Sequence, residues 1–178
     1  MKWLVFHVVS TEDTKDFSPI YENLPESEIH INPEKSKIIE LLGENPEADI
    51  IAIGHGDENG LWCEKDGYCI DSEVAPLLKR RLVISIWCFA AEYADRYDLR
   101  GFFTSDFISN SKEFTSRFLT EKMNEETIQT YNKEFSVRLN RLLLKGVSPL
   151  FWPEKLRELA NNNNIIEKYN YETLCYYE

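Results

Sequence analysis

Three stretches of the chain are apolar without alternation: KWLVFHVV at 2–9, ADIIAIG at 48–54 and RLVISIW at 81–87. Short apolar runs rich in β-branched and aromatic residues and bounded by polar segments predict strands buried on both faces. The first of them predicts the central strand of a sheet. SEIHIN at 27–32 alternates instead, which predicts an edge strand, and RGFFTSDF at 100–107 predicts one more strand. Asp66-Gly67, between the short β-prone arms of LWCEKDGYCI at 61–70, signals a hairpin.

Helical periods fall between these runs. Asn32-Pro33-Glu34 supplies a cap, a first-turn proline and an acid, and Ile38, Ile39, Leu41 and Leu42 form an apolar face up to Gly43. A second helix is predicted over 72–80, capped by Asp71 or Ser72, with Val74, Leu77 and Leu78 inward, and a third over 89–98. The polar stretch around Pro19 and Pro25 has room for one weak helix. Beyond 110 the pattern turns helical: Ile128, Tyr131, Phe135, Leu139 and Leu142 recur at helical spacing and stop near Gly146. Pro153 opens another helix through about Ala160, ahead of an asparagine loop at 161–164, and YETLCYYE at 171–178 has the composition of a final strand.

Strands alternating with helices predict an α/β fold, a mostly parallel sheet flanked by helices, because parallel neighbours need crossover connections. The chain reads as a single domain, 1–178, with an α/β core over 1–110 and a mainly helical extension over 111–178. Composition changes this picture little, at 43% hydrophobic residues, but charge narrows it. A net charge of −11, with the basic residues scattered, argues against a nucleic-acid partner. No apolar stretch approaches the length of a membrane span, and four cysteines make no disulfide framework, so a soluble cytoplasmic protein is expected.

Two of the buried runs stop at reactive residues. IIAIGHGDENG at 50–60 ends its strand on His55-Gly56, and RLVISIW runs into Cys88. In parallel α/β sheets functional groups collect beyond the carboxyl ends of the strands. If these two strands are neighbours, an imidazole and a thiol meet there. The imidazole can take the thiol proton to make a nucleophile and later protonate a leaving amine, which is acyl transfer by a Cys-His dyad. The backbone N–H groups of Gly56 and Cys88 are candidate oxyanion donors. Trp62 and Trp87 are candidates to line a substrate cleft, against the commoner role of such residues in packing.

At IIAIGHGDENGLW and RLVISIWCFA, followed by RGFFTSDFISN, the sequence resembles the caspase-like cysteine peptidases, the superfamily of caspases, gingipains, separases and bacterial CHAT proteases, with the CHAT type nearest. The resemblance covers roughly residues 1–110. It implies a caspase-hemoglobinase fold, hydrolysis of peptide bonds in a peptide or protein substrate, and His55 as base and Cys88 as nucleophile; a bacterial-style effector switched on by an activating protein partner or by cleavage, with no cofactor, is expected. The chain departs from caspases at Ile86-Trp87-Cys88-Phe89, where they carry Gln-Ala-Cys. Ile86 also replaces the polar residue that several relatives use to read the substrate's P1 side chain. Asp106 is the candidate in its place, as a selector of a basic P1 residue.

Cys63 and Cys69 invite a metal reading with His55. A two-residue turn at Asp66-Gly67 would point the thiols to opposite faces, a three-residue turn would set them opposite one another, and neither supplies a fourth ligand, so no metal site is expected. Cys175, His7 and His30 read as structural. A reading from a different class stays open: a catalytically silent member of the same fold that serves as a scaffold or binding module.

Overall fold

The computed structural model describes residues 2–10, 12–65, 67–119, 123–160 and 164–178, with the backbone alone for 12 and 13. In chain order it contains β1 (Trp3–His7), α1 (Glu12–Lys15), β2 (Ser27–Ile31), α2 (Lys35–Glu44), β3 (Asp49–Ile53), β4 (Gly56–Asp57), β5 (Gly60–Cys63), β6 (Gly67–Ile70), α3 (Ala75–Leu78), β7 (Val83–Ile86), α4 (Ala90–Tyr97), β8 (Gly101–Thr104), α5 (Ser111–Arg117), α6 (Glu125–Leu144), α7 (Trp152–Leu159), α8 (Ile165–Glu172) and β9 (Leu174–Tyr177). Six strands form the main sheet in the order β2-β1-β3-β7-β8-β9, and β4-β5-β6 form a small antiparallel one. Every pairing in the main sheet is parallel except that of β9 with β8.

Alternation along the strands divides the core in two. Leu4, Phe6, Ile50, Ala52 and Val83 pack with α2, α3, α4 and the small sheet on one face. Val5, Ile51, Ile53, Ile84 and Ile86 pack with Phe17, Ile20 and the helices α6, α7 and α8 on the other. Each face thus buries a row of large side chains, which is why these strands read as unbroken apolar runs. The long helix α6 uses the expected face, Ile128, Phe135, Leu139 and Leu142. It closes at Gly146 with paired turns, Gly146 N–H to the Leu143 carbonyl and Val147 N–H to that of Leu142, the Schellman arrangement.

Several expectations change. β1 lies one strand in from the edge, and β3 and β7 occupy the centre. Asn32 does not cap α2: it adopts φ 50° and its Oδ1 accepts the Val9 N–H at 2.6 Å, tying the exits of β1 and β2 together. The helix predicted over 72–80 is one turn, Ala75–Leu78, preceded by a turn in which the Asp71 carboxylate accepts the Glu73 N–H. Cys63 pairs with Gly67 and Leu61 with Ile70, with a bulge between, so the hairpin follows neither weighed register. Asp66 and asparagines 161–163 lie outside the described residues; Asn164 caps α8, a helix the sequence pattern did not predict.

Candidate functional site

β3 and β7 are direct parallel neighbours, with Ile53 paired to Ile86. The Gly54 N–H continues the ladder to the Ile86 carbonyl at 3.1 Å. His55 and Cys88 therefore each stand two residues past a paired isoleucine, at the same height on adjoining strands about 4.8 Å apart. Both line one small cavity, walled by Thr14, Phe17, Phe107 and Ser109. Its volume is about 10 Å³, at most the room one water needs.

The histidine turn is stitched to the small sheet. The His55 carbonyl accepts the Trp62 N–H at 2.8 Å. That bond makes the facing pair Gly56 and Leu61 a non-hydrogen-bonded one, so the Gly56 N–H points away from β5. A Cβ on Gly56 would lie 2.5 Å from the Trp87 ring, so glycine is needed there for the indole to approach. Trp87 is 2% exposed and donates its Nε1–H to the Asp57 carbonyl at 3.3 Å. It ties the cysteine turn to the histidine turn from within the core and also lines the cavity. Trp62 is 45% exposed and does not line that cavity.

The cysteine turn is strained. Phe89 adopts φ 66°, rare for a bulky side chain, and begins α4 immediately after Cys88. The turn is held from β8: Thr104 Oγ1 accepts the Trp87 N–H at 3.1 Å, and the Ser105 carbonyl accepts the Phe89 N–H at 2.9 Å. Between them, the Cys88 N–H meets no acceptor among the described residues. The thiol donates to the Phe107 carbonyl at 3.1 Å rather than to the imidazole. Burial, with the negative charge of Glu113 behind it, pushes the thiol up to about 12, so at neutral pH it stays protonated.

The segment 105–110 that covers the thiol is clamped on three sides. Asn170 makes two hydrogen bonds with the Ile108 backbone, 2.8 Å from its N–H and 3.0 Å to its carbonyl. Asn132 donates to the Ser109 carbonyl at 2.9 Å, and Glu113 accepts the Ser109 N–H at 2.7 Å. Phe107 packs edge-on against Phe17 and tilted against Phe135. Asp106, the candidate P1 selector, belongs to this clamp. Arg117 grips both its oxygens and the Tyr169 hydroxyl donates to it at 2.7 Å. Burial alone would raise its pKa, but the Arg117 and Tyr169 hydrogen bonds outweigh it and hold the carboxyl below the ordinary range. The carboxylate is used within the chain and does not line the cavity with His55 and Cys88.

His7, read from sequence as structural, stands behind the cavity wall. Its Nε2 faces the Thr14 carbonyl at 2.8 Å and so must carry the proton, which leaves Nδ1 to accept from the Tyr21 hydroxyl at 2.9 Å. It thereby holds Thr14, which lines the cavity. Only its position at the end of a buried strand hinted at this. Cys69 is fully buried, with its thiol pushed up first by burial and then by Cys63. Among the described residues no group of three or more His, Cys, Asp or Glu side chains could hold a metal ion, and no helix is long and apolar enough to cross a membrane. No family model and no curated protein matches the sequence.

Proposed function

We propose that the chain is a cysteine peptidase of caspase-like type, with His55 and Cys88 as its dyad, held here in a closed form. The observation that carries this reading is the register of β3 and β7, which sets His55 and Cys88 each two residues past a paired isoleucine, with both residues lining one cavity. The order along the chain, strand-His-Gly, small antiparallel sheet, then strand-Cys-turn, supports the resemblance drawn from sequence. In the reaction His55 takes the thiol proton and the sulfur attacks the scissile carbonyl. The oxyanion is received by the Cys88 N–H and the Gly56 N–H. The imidazolium then protonates the leaving amine, and water hydrolyses the thioester. The strained turn at Phe89 and the unoccupied Cys88 N–H are what an oxyanion site of this kind requires.

Activity on this reading needs the 105–110 segment to move, since the thiol is bound to Phe107 and the cavity admits no peptide. An activating protein that displaces Phe107 would supply that movement. The test is labelling by a thiol-reactive peptide probe and hydrolysis of a peptide library, in the wild type and after loosening the segment. With the segment released, Cys88→Ala should abolish hydrolysis and the probe label that peptide mapping places at position 88, and His55→Ala should lower hydrolysis by about a thousandfold. Hydrolysis unchanged by Cys88→Ala removes the assignment. The closed cavity favours a second reading, a silent scaffold. A cleavage profile with no Cys88-dependent product, even from a variant whose 105–110 segment is released, selects it.

A further inference from the structure

The strand β2 forms one edge of the main sheet, and one side of it pairs with no strand among the described residues. The Trp3 N–H donates to the Glu26 carbonyl at 3.0 Å and the Asn32 N–H to the His7 carbonyl at 2.9 Å. The parallel register of β1 with β2 therefore turns the backbone groups of Glu28 and His30 toward β1, and those of Ser27, Ile29 and Ile31 outward. Nothing among the described residues bonds to that outward row. Edge strands are ordinarily blunted by proline, lysine or a bulge. β2 has none of these, its one charged side chain, Glu28, is held by Lys2 at 2.7 Å, and Ile29 and Ile31 on it are 46% and 52% exposed. Beside them lies an open groove of about 530 Å³ lined by Pro19, Tyr21 and Leu24.

We propose that this edge binds a second copy of the chain, β2 against β2 antiparallel about a two-fold axis through Ile29. In that register Ile29 faces Ile29 of the other copy and exchanges both backbone hydrogen bonds with it, while Ser27 faces Ile31 and does the same. All the outward groups of the strand are then used. Glu28 faces His30 of the other copy, twice, at the close non-hydrogen-bonded positions, where an imidazole N–H can donate to a carboxylate. In the single chain His30 Nε2 lies 3.1 Å from Glu28 Oε1 but makes no hydrogen bond. A second Glu28 gives it an acceptor. No other antiparallel register of the strand with itself matches the backbone directions and also sets Glu28 opposite His30. The opposite edge is less open, because Arg157 already donates to the Leu174 carbonyl at 2.5 Å. This surface is independent of the peptidase reading.

Sedimentation velocity on the full chain tests it. A dimer is expected at micromolar to tens of micromolar concentration, and Ile29→Lys should weaken association by about tenfold or more. Circular dichroism of that variant confirms that the fold is kept, as the exposure of Ile29 leads one to expect. Glu28→Lys should also weaken association, and the swap Glu28→Lys with His30→Glu should restore it, because a lysine then faces a glutamate across the axis. Ile29→Cys should cross-link to itself under mild oxidation, its two Cα atoms lying about 5.5 Å apart, and Ile31→Cys should not. A chain that stays monomeric overturns the proposal. So does a dimer indifferent to Ile29→Lys, which would place the contact on another surface such as β9.

Discussion

The rim of the main sheet holds two cavities that differ in the way least expected of an enzyme. Over the exits of β1 and β2 lies a space of about 260 Å³, bordered by Val8, Val9, Asn32, Cys63 and Lys65. Over the exits of β3 and β7 lies the space of about 10 Å³ that holds His55 and Cys88. Both sit at the carboxyl ends of parallel strands, where α/β sheets place their sites. Size favours the first and chemistry the second. The first has a thiol with no imidazole beside it, whereas the second has both, together with a strained turn, and is shut. On the proposed reading, the difference puts control of the chemistry in the 105–110 segment that covers the thiol.

The largest effect that can break this comparison is thiol reactivity. With Cys88 pushed up to about 12, its thiolate fraction at pH 7 is about 10⁻⁵, and its sulfur is buried under Phe107. Cys63 lies in the open cavity. Peptide mapping after iodoacetamide treatment should find Cys63 modified first and Cys88 slower by about a thousandfold than an exposed thiol. Comparable rates would mean that the second cavity is open in solution.

The next effect sharpens it. Asn170 is buried and holds both backbone groups of Ile108, so Asn170→Ala leaves a buried N–H and carbonyl without partners. The expected cost is about 2–3 kcal/mol in a urea titration. Because the lost bonds clamp the segment over the thiol, Cys88 alkylation should rise by about tenfold or more while Cys63 is unchanged. Loss of stability with no change at Cys88 would show that the segment covers the thiol without these bonds.

What the sequence disclosed follows from what each feature depends on. The placement of His55 and Cys88 just past two strand ends was legible because each follows a buried run, and a run that stops marks a strand exit. Their adjacency was a matter of strand order, which β3 and β7 satisfy. The Schellman close of α6 was legible at Gly146 for the same local reason. The clamp was not, since Asn170 and Ile108 are 62 residues apart and nothing in either neighbourhood announces the other. Asp106 misled because an acid at a strand end looks available, and only the tertiary fold brings Arg117 and Tyr169 to it. Gly56 was singled out for its N–H, and nothing local announced that its missing side chain makes room for the Gly60 carbonyl and Trp87.

The smallest effect concerns the wall the closed cavity leans on. His7 is held neutral: burial lowers its pKa, and the Thr14 carbonyl offsets only part of that. Its folded pKa therefore lies below the ordinary value of 6.5, so the folded state binds fewer protons than the unfolded one as pH falls through that value. The stability tied to His7 is present above about pH 6.5 and is lost below it, as protonation of Nδ1 ends its acceptance of the Tyr21 hydroxyl. Urea midpoints measured from pH 7.5 down to 5 should fall for the wild type and fall less for His7→Asn, which has no group titrating in that range. Thr14 moves with His7, so Cys88 alkylation corrected for thiolate fraction should rise over the same interval, while that of Cys63 in the open cavity does not. A midpoint as steep in His7→Asn as in the wild type would assign the acid response to other groups and leave the wall of the closed cavity independent of His7.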